Sequence, residues 1–371
     1  MKSSLLIPLT LLMAGCASRS TTSGIPQLQV AMDDPAPSYK VYFDRIELLP
    51  LENTDSALMA RVDKIECVND TLIAYDGRQY RIKVFDSKGK FLTNIGNIGQ
   101  GPGEYTFIYD ISYNPQKQIL SLLSPFGEYL NFTLDDKFVN RVQLPAKSNY
   151  QSFTWVNATN LALWSAVEKD EAGIQIINTD TGETVYEDWY NERLTDFQQG
   201  YPFYTYNDDL FFAKPIGRCV YKLDKDSLVR AYEWDLGKDN FDIEGYINEI
   251  GETDVTQKSK KIREDLASQT LPYLINENWQ NDGYYAARVF SMSDNKATYR
   301  TLLYDKAAKT GSCISQFKEG MSIYPVYMNN EFIISPIPAE EVEIYNRICN
   351  QNIPTDEDQN VVLAKYYFKK R

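Results

Sequence analysis

The sequence predicts an all-β fold, a six-bladed β-propeller, from a recurring turn, short apolar strands and an abundance of strand-forming residues. The turn opens with Asn at six positions: Asn69, Asn114, Asn157, Asn207, Asn281 and Asn329. Successive copies lie 45, 43, 50, 74 and 48 residues apart. A recurrence near 45 residues is typical of a repeat architecture. The 27 Tyr and 17 Phe favour strands and can fill a large core.

Each recurring unit contains four short strands. In the first unit they are residues 62–68, 72–75, 82–85 and 91–95. The Asn turn joins the first strand to the second, and an Asp- or Gly-containing turn joins the third to the fourth, as in antiparallel hairpins. Four antiparallel strands in about 45 residues are the pattern of a propeller blade. Six units therefore predict six blades.

The last unit lacks one strand. It ends after its third strand, residues 361–368, whereas residues 40–49 form an extra strand ahead of the first blade. We predict that this N-terminal strand is the outer strand of the last blade and closes the ring. Closure removes two exposed sheet edges at once. The predicted propeller spans residues 39–371.

Two segments interrupt the repeat and predict small helical insertions. Residues 237–270 contain predicted helices at Ile243–Ile250 and 259–267, and residues 338–359 contain one at 339–349. Loops between second and third strands, and loops between blades, lie opposite the Asn turns, so both insertions fall on one face. Loops on a rigid scaffold commonly carry binding residues. We expect this face to be functional; the alternative is that the insertions only cover the central channel.

The first 15 residues are predicted to be a lipoprotein signal peptide. Their apolar run follows Lys2 and has about ten residues, whereas a bilayer span needs roughly 20. Residues 12–16 resemble the bacterial lipobox, which predicts lipid attachment at Cys16; a plain secretory signal is the alternative. Residues 16–38 are rich in Ser, Thr, Pro and Gly and predict a flexible tether. The expected location is the cell envelope, as an outer-membrane lipoprotein facing the periplasm or the cell surface.

Composition excludes several function classes. The chain has no histidine, which rules out Ser-His-Asp and Cys-His catalysis and His-ligated metals. The net charge of −13 disfavours nucleic acid as a partner. The remaining cysteines, Cys67, Cys219, Cys313 and Cys349, have no metal-ligand spacing. We predict a monomer with no cofactor, no metal and no identifiable catalytic residue.

A Gly-rich stretch at residues 96–105 does not predict a phosphate site, because Pro102 interrupts it and a strand rather than a helix follows. Instead this stretch, together with residues 48–52 and 84–91, resembles the six-bladed β-propeller lipoproteins of gut anaerobes, which are similar to NHL-type propellers. The resemblance implies a lipid-anchored envelope protein without an established activity. It supplies no catalytic residues.

Cationic and aromatic side chains near the insertion-bearing end are the candidate ligand-binding residues. They are Arg78, Arg81, Lys214, Arg218 and Arg288, with Tyr105, Trp164, Tyr201 and Tyr324. Cations can receive a carboxylate, sulfate or uronate, and aromatic faces suit sugar rings. The alternatives are local ion pairs and packing between blades.

The predicted function is that of a noncatalytic binding or scaffold protein that presents one propeller face to a glycan, peptide or protein partner. The alternative is a carbohydrate-active hydrolase or lyase that uses Asp and Glu without histidine.

Overall fold

The computed structural model describes residues 24–370 apart from 126, 145–149, 166–172, 189–199, 214–216, 226, 251–254, 294–295 and 356–358. The predicted signal peptide, the predicted lipid-attachment residue Cys16 and the candidate ligand-binding residue Lys214 lie outside the described residues.

In the described part of the chain, each of six blades has four antiparallel strands, which confirms the predicted fold class. The first strand of each blade lies innermost, beside the central axis. From inner to outer, blade one has strands Lys64–Val68, Thr71–Asp76, Arg81–Asp86 and Phe91–Asn94. Blade two has Asp110–Asn114, Ile119–Ser124, Glu128–Phe132 and Phe138–Gln143. Blade three has Tyr150–Trp155, Asn160–Ser165, Ile174–Asn178 and Thr184–Asp188.

The remaining blades follow the same plan. Blade four has Phe203–Tyr206, Asp209–Ala213, Cys219–Asp224 and Ser227–Asp235. Blade five has Leu274–Gln280, Tyr284–Ser293, Lys296–Asp305 and Thr310–Ile314. Blade six has Tyr327–Met328, Phe332–Pro336, Val362–Phe368 and Phe43–Pro50. A short parallel pair, Asn97–Ile98 and Glu104–Tyr105, connects blades one and two.

The N-terminal part of the described chain pairs with two blades. Phe43–Pro50 runs antiparallel to Val362–Phe368 at the outside of blade six. Further upstream, Gln27–Gln29 adds a parallel fifth strand to blade four, next to Ser227–Asp235. The predicted tether of residues 16–38 therefore extends too far. Its apolar Leu28 and Val30 are buried in the cluster between blades four and five, which fixes this segment to the propeller.

Apolar clusters fill the spaces between neighbouring blades. One strand of blade one illustrates the arrangement: Ile73 packs against blade two, whereas Leu72 and Ala74 pack against blade six. Both faces of a middle strand are thus buried. Strands buried on both faces have continuous apolar runs rather than alternating ones, which explains why the repeat is visible in the sequence.

The Asn turns hold their own backbone and tie blades together. The side-chain oxygen of Asn281 accepts hydrogen bonds from the backbone N–H groups of Gly283 and Tyr284, and its Nδ2 donates to the carbonyl of Asn329 in the next blade, 2.9 Å away. Asn114 makes equivalent bonds within its turn and to the Asn157 carbonyl of blade three. Asn157 and Asn329 make such bonds within their turns as well, whereas Asn69 and Asn207 have positive φ angles, which Asn tolerates better than most residues. We call this end of the propeller the Asn-turn face.

Three helices form the two insertions on the opposite end, the insertion face. They are α1 (Ile243–Ile250), α2 (Val255–Ala267) and α3 (Val342–Cys349), the last preceded by a 3₁₀ turn at Ala339–Glu341. α1 has the predicted bounds, and α2 begins four residues earlier than predicted. Both pack on blade five through an apolar cluster. No helix in the described part of the chain is long and apolar enough to cross a membrane.

Candidate functional site

The innermost strands of all six blades enclose a cavity of about 750 Å³ around the propeller axis. The lining includes Lys64 and Tyr201 at one end, and Asn69, Asn157 and Asn207 of the Asn turns at the other end. The mouth of this axial cavity is therefore on the Asn-turn face, opposite the insertions.

The walls of the axial cavity combine aromatic and amide side chains. The aromatic residues include Tyr113, Trp155, Tyr201, Tyr204, Trp279 and Tyr327. Gln280 donates from Nε2 to the Tyr204 hydroxyl at 3.2 Å, and the Tyr204 and Tyr232 hydroxyls are 3.1 Å apart. Trp234 donates from Nε1 to the Asn278 side-chain oxygen at 2.8 Å. These bonds fix the wall before any ligand arrives, as is common in ligand pockets.

At the inner end of the axial cavity, away from its mouth, Lys64 lies between the carboxylates of Asp110 and Glu66. The Lys64 Nζ lies 2.7 Å from Asp110 Oδ1, 2.7 Å from the Ile111 carbonyl and 3.9 Å from Glu66 Oε1. Although burial disfavours the charged amine, the carboxylates of Asp110 and Glu66 raise the pKa of Lys64. The other oxygen of Asp110 accepts bonds from the Ser152 hydroxyl and the Phe153 backbone. Lys64 is therefore a fixed cation, held mainly by Asp110.

The Glu66 carboxylate accepts fewer hydrogen bonds than the Asp110 carboxylate does. Its side chain lines the cavity and is 26% exposed. No described residue donates a hydrogen bond to its carboxylate, and Lys64 is its only ion-pair partner there. Burial raises the pKa of Glu66 to about 7; Lys64 opposes this shift and Asp110 adds to it. Glu66 thus presents an acceptor to the cavity that changes its charge near neutral pH.

A second buried acid, Glu277, lies in the cavity wall on blade five. Its carboxylate forms an ion pair with Arg288 on the neighbouring strand, and both side chains are almost fully buried. Burial raises the pKa of Glu277 to about 7, against the opposing effects of Arg288 and Lys64. Arg288 also donates to the Pro325 carbonyl at 3.3 Å and lies over the Tyr324 ring, 4.0 Å from its centroid.

The structure places Tyr201 in the wall of the axial cavity and brings Arg288 and Tyr324 into contact, but it disperses the other described candidates. Arg78 and Arg81 are exposed beside the turn between the second and third strands of blade one. Arg218 is held locally, since it donates to the Trp234 carbonyl at 2.6 Å and lies 3.3 Å from Glu233.

Two predicted aromatic ligand residues are interior packing residues instead. Tyr105 is 4% exposed in the cluster between blades one and two, with its hydroxyl 3.4 Å from the Ile95 carbonyl. Trp164 packs in the cluster between blades three and four, with its ring centroid 5.4 Å from that of Phe212. Tyr105 lies in the connector between blades one and two, and Trp164 lies in the second strand of blade three rather than the innermost one, so neither side chain lines the axial cavity.

The sequence prediction missed Lys64, Glu66, Asp110 and Glu277. A weak signal was available, because Lys64 and Glu66 alternate with apolar residues in an inner strand. The convergence of blades one, two and five on one point has no local signal. Among the described residues, no group of His, Cys, Asp or Glu side chains is placed to hold a metal ion.

A second cavity, of about 740 Å³, lies on the insertion face, where blades five, six and one meet. It is lined by residues 59–63, 322–324, 336–339 and 359–362, together with Tyr299. We call it the insertion-face groove. Its lining is richer in Pro, Ile and Val than that of the axial cavity.

Fold and site together define a six-bladed propeller with a polar axial cavity. Residues 26–367 match the profile of a family described as "Domain of unknown function (DUF4934)". The chain belongs to this family.

Solved structures are similar to this propeller over most of its length. The crystal structure of a Bacteroides fragilis protein, described as a "putative exported protein", has a TM-score of 0.74 at 17% sequence identity and covers 93% of this chain and 100% of its own. The structure of U3-55K has a TM-score of 0.49 at 9% identity, covering 86% of this chain and 98% of its own. A search of curated proteins finds no match.

Proposed function

We propose that this protein is a lipid-anchored envelope protein that binds a glycan in its axial cavity and catalyses no reaction on it. The observation that carries the proposal is the combination of aromatic and amide side chains around one cavity open at one face. Aromatic faces pack against sugar rings, and amides exchange hydrogen bonds with hydroxyl groups. A volume of about 750 Å³ is in the range of small-molecule sites, which run from about 300 to 1,000 Å³.

Glycan binding is tested with the full mature chain in detergent against an oligosaccharide array, followed by calorimetric titration. Trp279→Ala removes an aromatic wall of the axial cavity, and we expect at least about a tenfold loss of affinity, or about 1.4 kcal/mol. Tyr299→Ala, in the insertion-face groove, is the matched control and should bind normally. A blank array, or equal effects of the two substitutions, contradicts the proposal.

One observation favours a second candidate function, glycoside hydrolysis. Glu66 and Glu277 line the same cavity and each has its pKa raised to about 7, as a general acid requires. Binding without catalysis is preferred because Arg288 holds the Glu277 carboxylate in an ion pair. Mass spectrometry of bound oligosaccharides separates the two: intact sugars support binding, and shortened sugars support the hydrolase.

The envelope location rests on the lipobox-like residues 12–16 and on the apolar run before them. The net charge of −13 supports a partner other than nucleic acid, and we treat the protein as a monomer. Cys16→Ala should release the protein from the membrane fraction into the soluble fraction. Unchanged membrane retention contradicts lipid anchoring at this residue.

A further inference from the structure

Four cations at or near the axial cavity are already engaged. The Lys64 amine is bound by the Asp110 carboxylate, and the Arg288 guanidinium by Glu277. Near the mouth, Lys306 donates to the Gln280 side chain and the Asn281 carbonyl, and Lys117 lies 3.1 Å from Asp180. An anionic ligand would have to compete with these partners, which argues against the carboxylate or sulfate ligand predicted from the sequence.

One group in the cavity wall is an acceptor without a donor. No described residue donates a hydrogen bond to the Glu66 carboxylate, and its side chain is 26% exposed. The Nδ2 donor of Asn278 also has no partner, but it is fully buried and lies out of a ligand's reach. A ligand that donates to Glu66 therefore gains a charge-assisted hydrogen bond.

The chemistry of Glu66 limits the ligand. A sugar hydroxyl can donate a hydrogen bond to its carboxylate. A carboxylate or sulfate has no proton to donate and is repelled by ionised Glu66. The cluster at the inner end already has three carboxylates, Glu66, Asp110 and Glu277, against the two cations Lys64 and Arg288.

We infer that the axial cavity selects neutral sugars, with Glu66 accepting hydrogen bonds from their hydroxyls, and that it rejects uronic acids and sulfated sugars. This inference rests on the proposed glycan binding and specifies its ligand class. Glu66 is then the residue that determines the preference for neutral over acidic sugars. Its carboxylate accepts hydrogen bonds from sugar hydroxyls and repels acidic groups on the sugar.

Matched trisaccharides test the inference at pH 8, where Glu66 is ionised. The probes are galactose and galacturonic acid trisaccharides of the same linkage, and the corresponding glucose and glucuronic acid pair, titrated into the full mature chain. We expect the neutral member of a bound pair to bind at least about tenfold tighter than its acid. Glu66→Gln should weaken neutral-sugar binding about tenfold and reduce the discrimination, whereas Glu66→Asp should keep the preference for neutral sugars.

Controls separate selectivity from folding and from binding itself. Glu340→Gln changes an exposed carboxylate on the insertion face and should leave both affinities unchanged. Thermal unfolding of every variant identifies any that fail to fold, and Glu66→Asp is then the deciding variant. Equal binding of neutral and acidic members, or a preference unchanged in Glu66→Gln, overturns the inference and leaves glycan binding standing. Failure of every trisaccharide to bind overturns both.

Discussion

The axial cavity and the insertion-face groove have nearly the same volume, about 750 and 740 Å³, but they are built from different parts of the fold. Innermost strands form the axial cavity, and its charged groups come from three blades. Connecting segments such as residues 59–63 and 336–339 form most of the groove. Strands hold side chains more rigidly than loops do, so the axial cavity is the better place for fixed polar recognition.

Three side chains in contact connect the linings of the two cavities. Glu277 lines the axial cavity, Tyr324 lines the groove, and Arg288 contacts both. The Arg288 Nε has no hydrogen-bond partner, so its guanidinium depends strongly on Glu277. The wall between the cavities is therefore polar and sensitive to the loss of one residue.

The largest expected effect on stability comes from removing the Arg288 cation. Arg288→Met leaves the Glu277 carboxylate buried without its partner, and we expect the free energy of unfolding to fall by about 3–5 kcal/mol. Urea denaturation measures the change. Arg61→Met is the matched control in the groove: its ion pair with Asp63 is half exposed, so we expect about 1 kcal/mol or less. Similar losses from both substitutions would remove the contrast between the two cavities.

A smaller effect is expected from pH, through Glu66. Its folded-state pKa of about 7 lies above the ordinary value of 4.5, so the folded state holds this proton more tightly than the unfolded state does. The resulting stabilisation is complete below pH 4.5 and is lost as the pH rises through about 7. The loss is up to about 3 kcal/mol.

Urea denaturation of wild type and Glu66→Gln at pH 5 and pH 8 measures this contribution. The substitution removes the titrating group, so Glu66→Gln should gain stability relative to wild type between the two pH values. Glu340→Gln, an exposed carboxylate on the other face, should follow wild type. A constant difference between wild type and Glu66→Gln would mean that Glu66 ionises normally.

The smallest effect concerns the Asn-turn face itself. Asn281→Ala removes two turn hydrogen bonds and the bond to the Asn329 carbonyl, and we expect a loss of about 1–2 kcal/mol with unchanged glycan affinity. Asn330→Ala removes only exposed bonds to Asp282 and should cost less than about 0.5 kcal/mol. Equal losses from the two would show that the recurring Asn has no special structural role.

Local chemistry explains what could be predicted from the sequence. Each Asn turn is fixed within a few residues, either by side-chain hydrogen bonds or by a left-handed backbone at Asn, so six copies identified six blades. The helix at Ile243–Ile250 has its predicted bounds because its apolar periodicity is also local.

What was missed depends on contacts distant in the sequence. Gln27–Gln29 became a strand only because blade four, some 200 residues later, offers it an edge. Tyr105 and Trp164 were assigned to a ligand site because they lie near the insertion-bearing end, whereas their burial depends on packing between neighbouring blades. The charged groups of the axial cavity are individually ordinary and acquire meaning only where blades one, two and five converge.

The position of Phe43–Pro50 beside Val362–Phe368 has a consequence for biosynthesis. Blades one to five can each form from a contiguous stretch as it is synthesised, whereas blade six has to wait for residues near the C-terminus. Until then Leu72 and Ala74 lack their blade-six partners, and an apolar surface of blade one stays open. Pairing over such a sequence separation is slow and leaves intermediates prone to aggregation. Deleting a few residues from the last strand, Val362–Phe368, should therefore reduce the yield of soluble protein far more than the small number of deleted residues suggests.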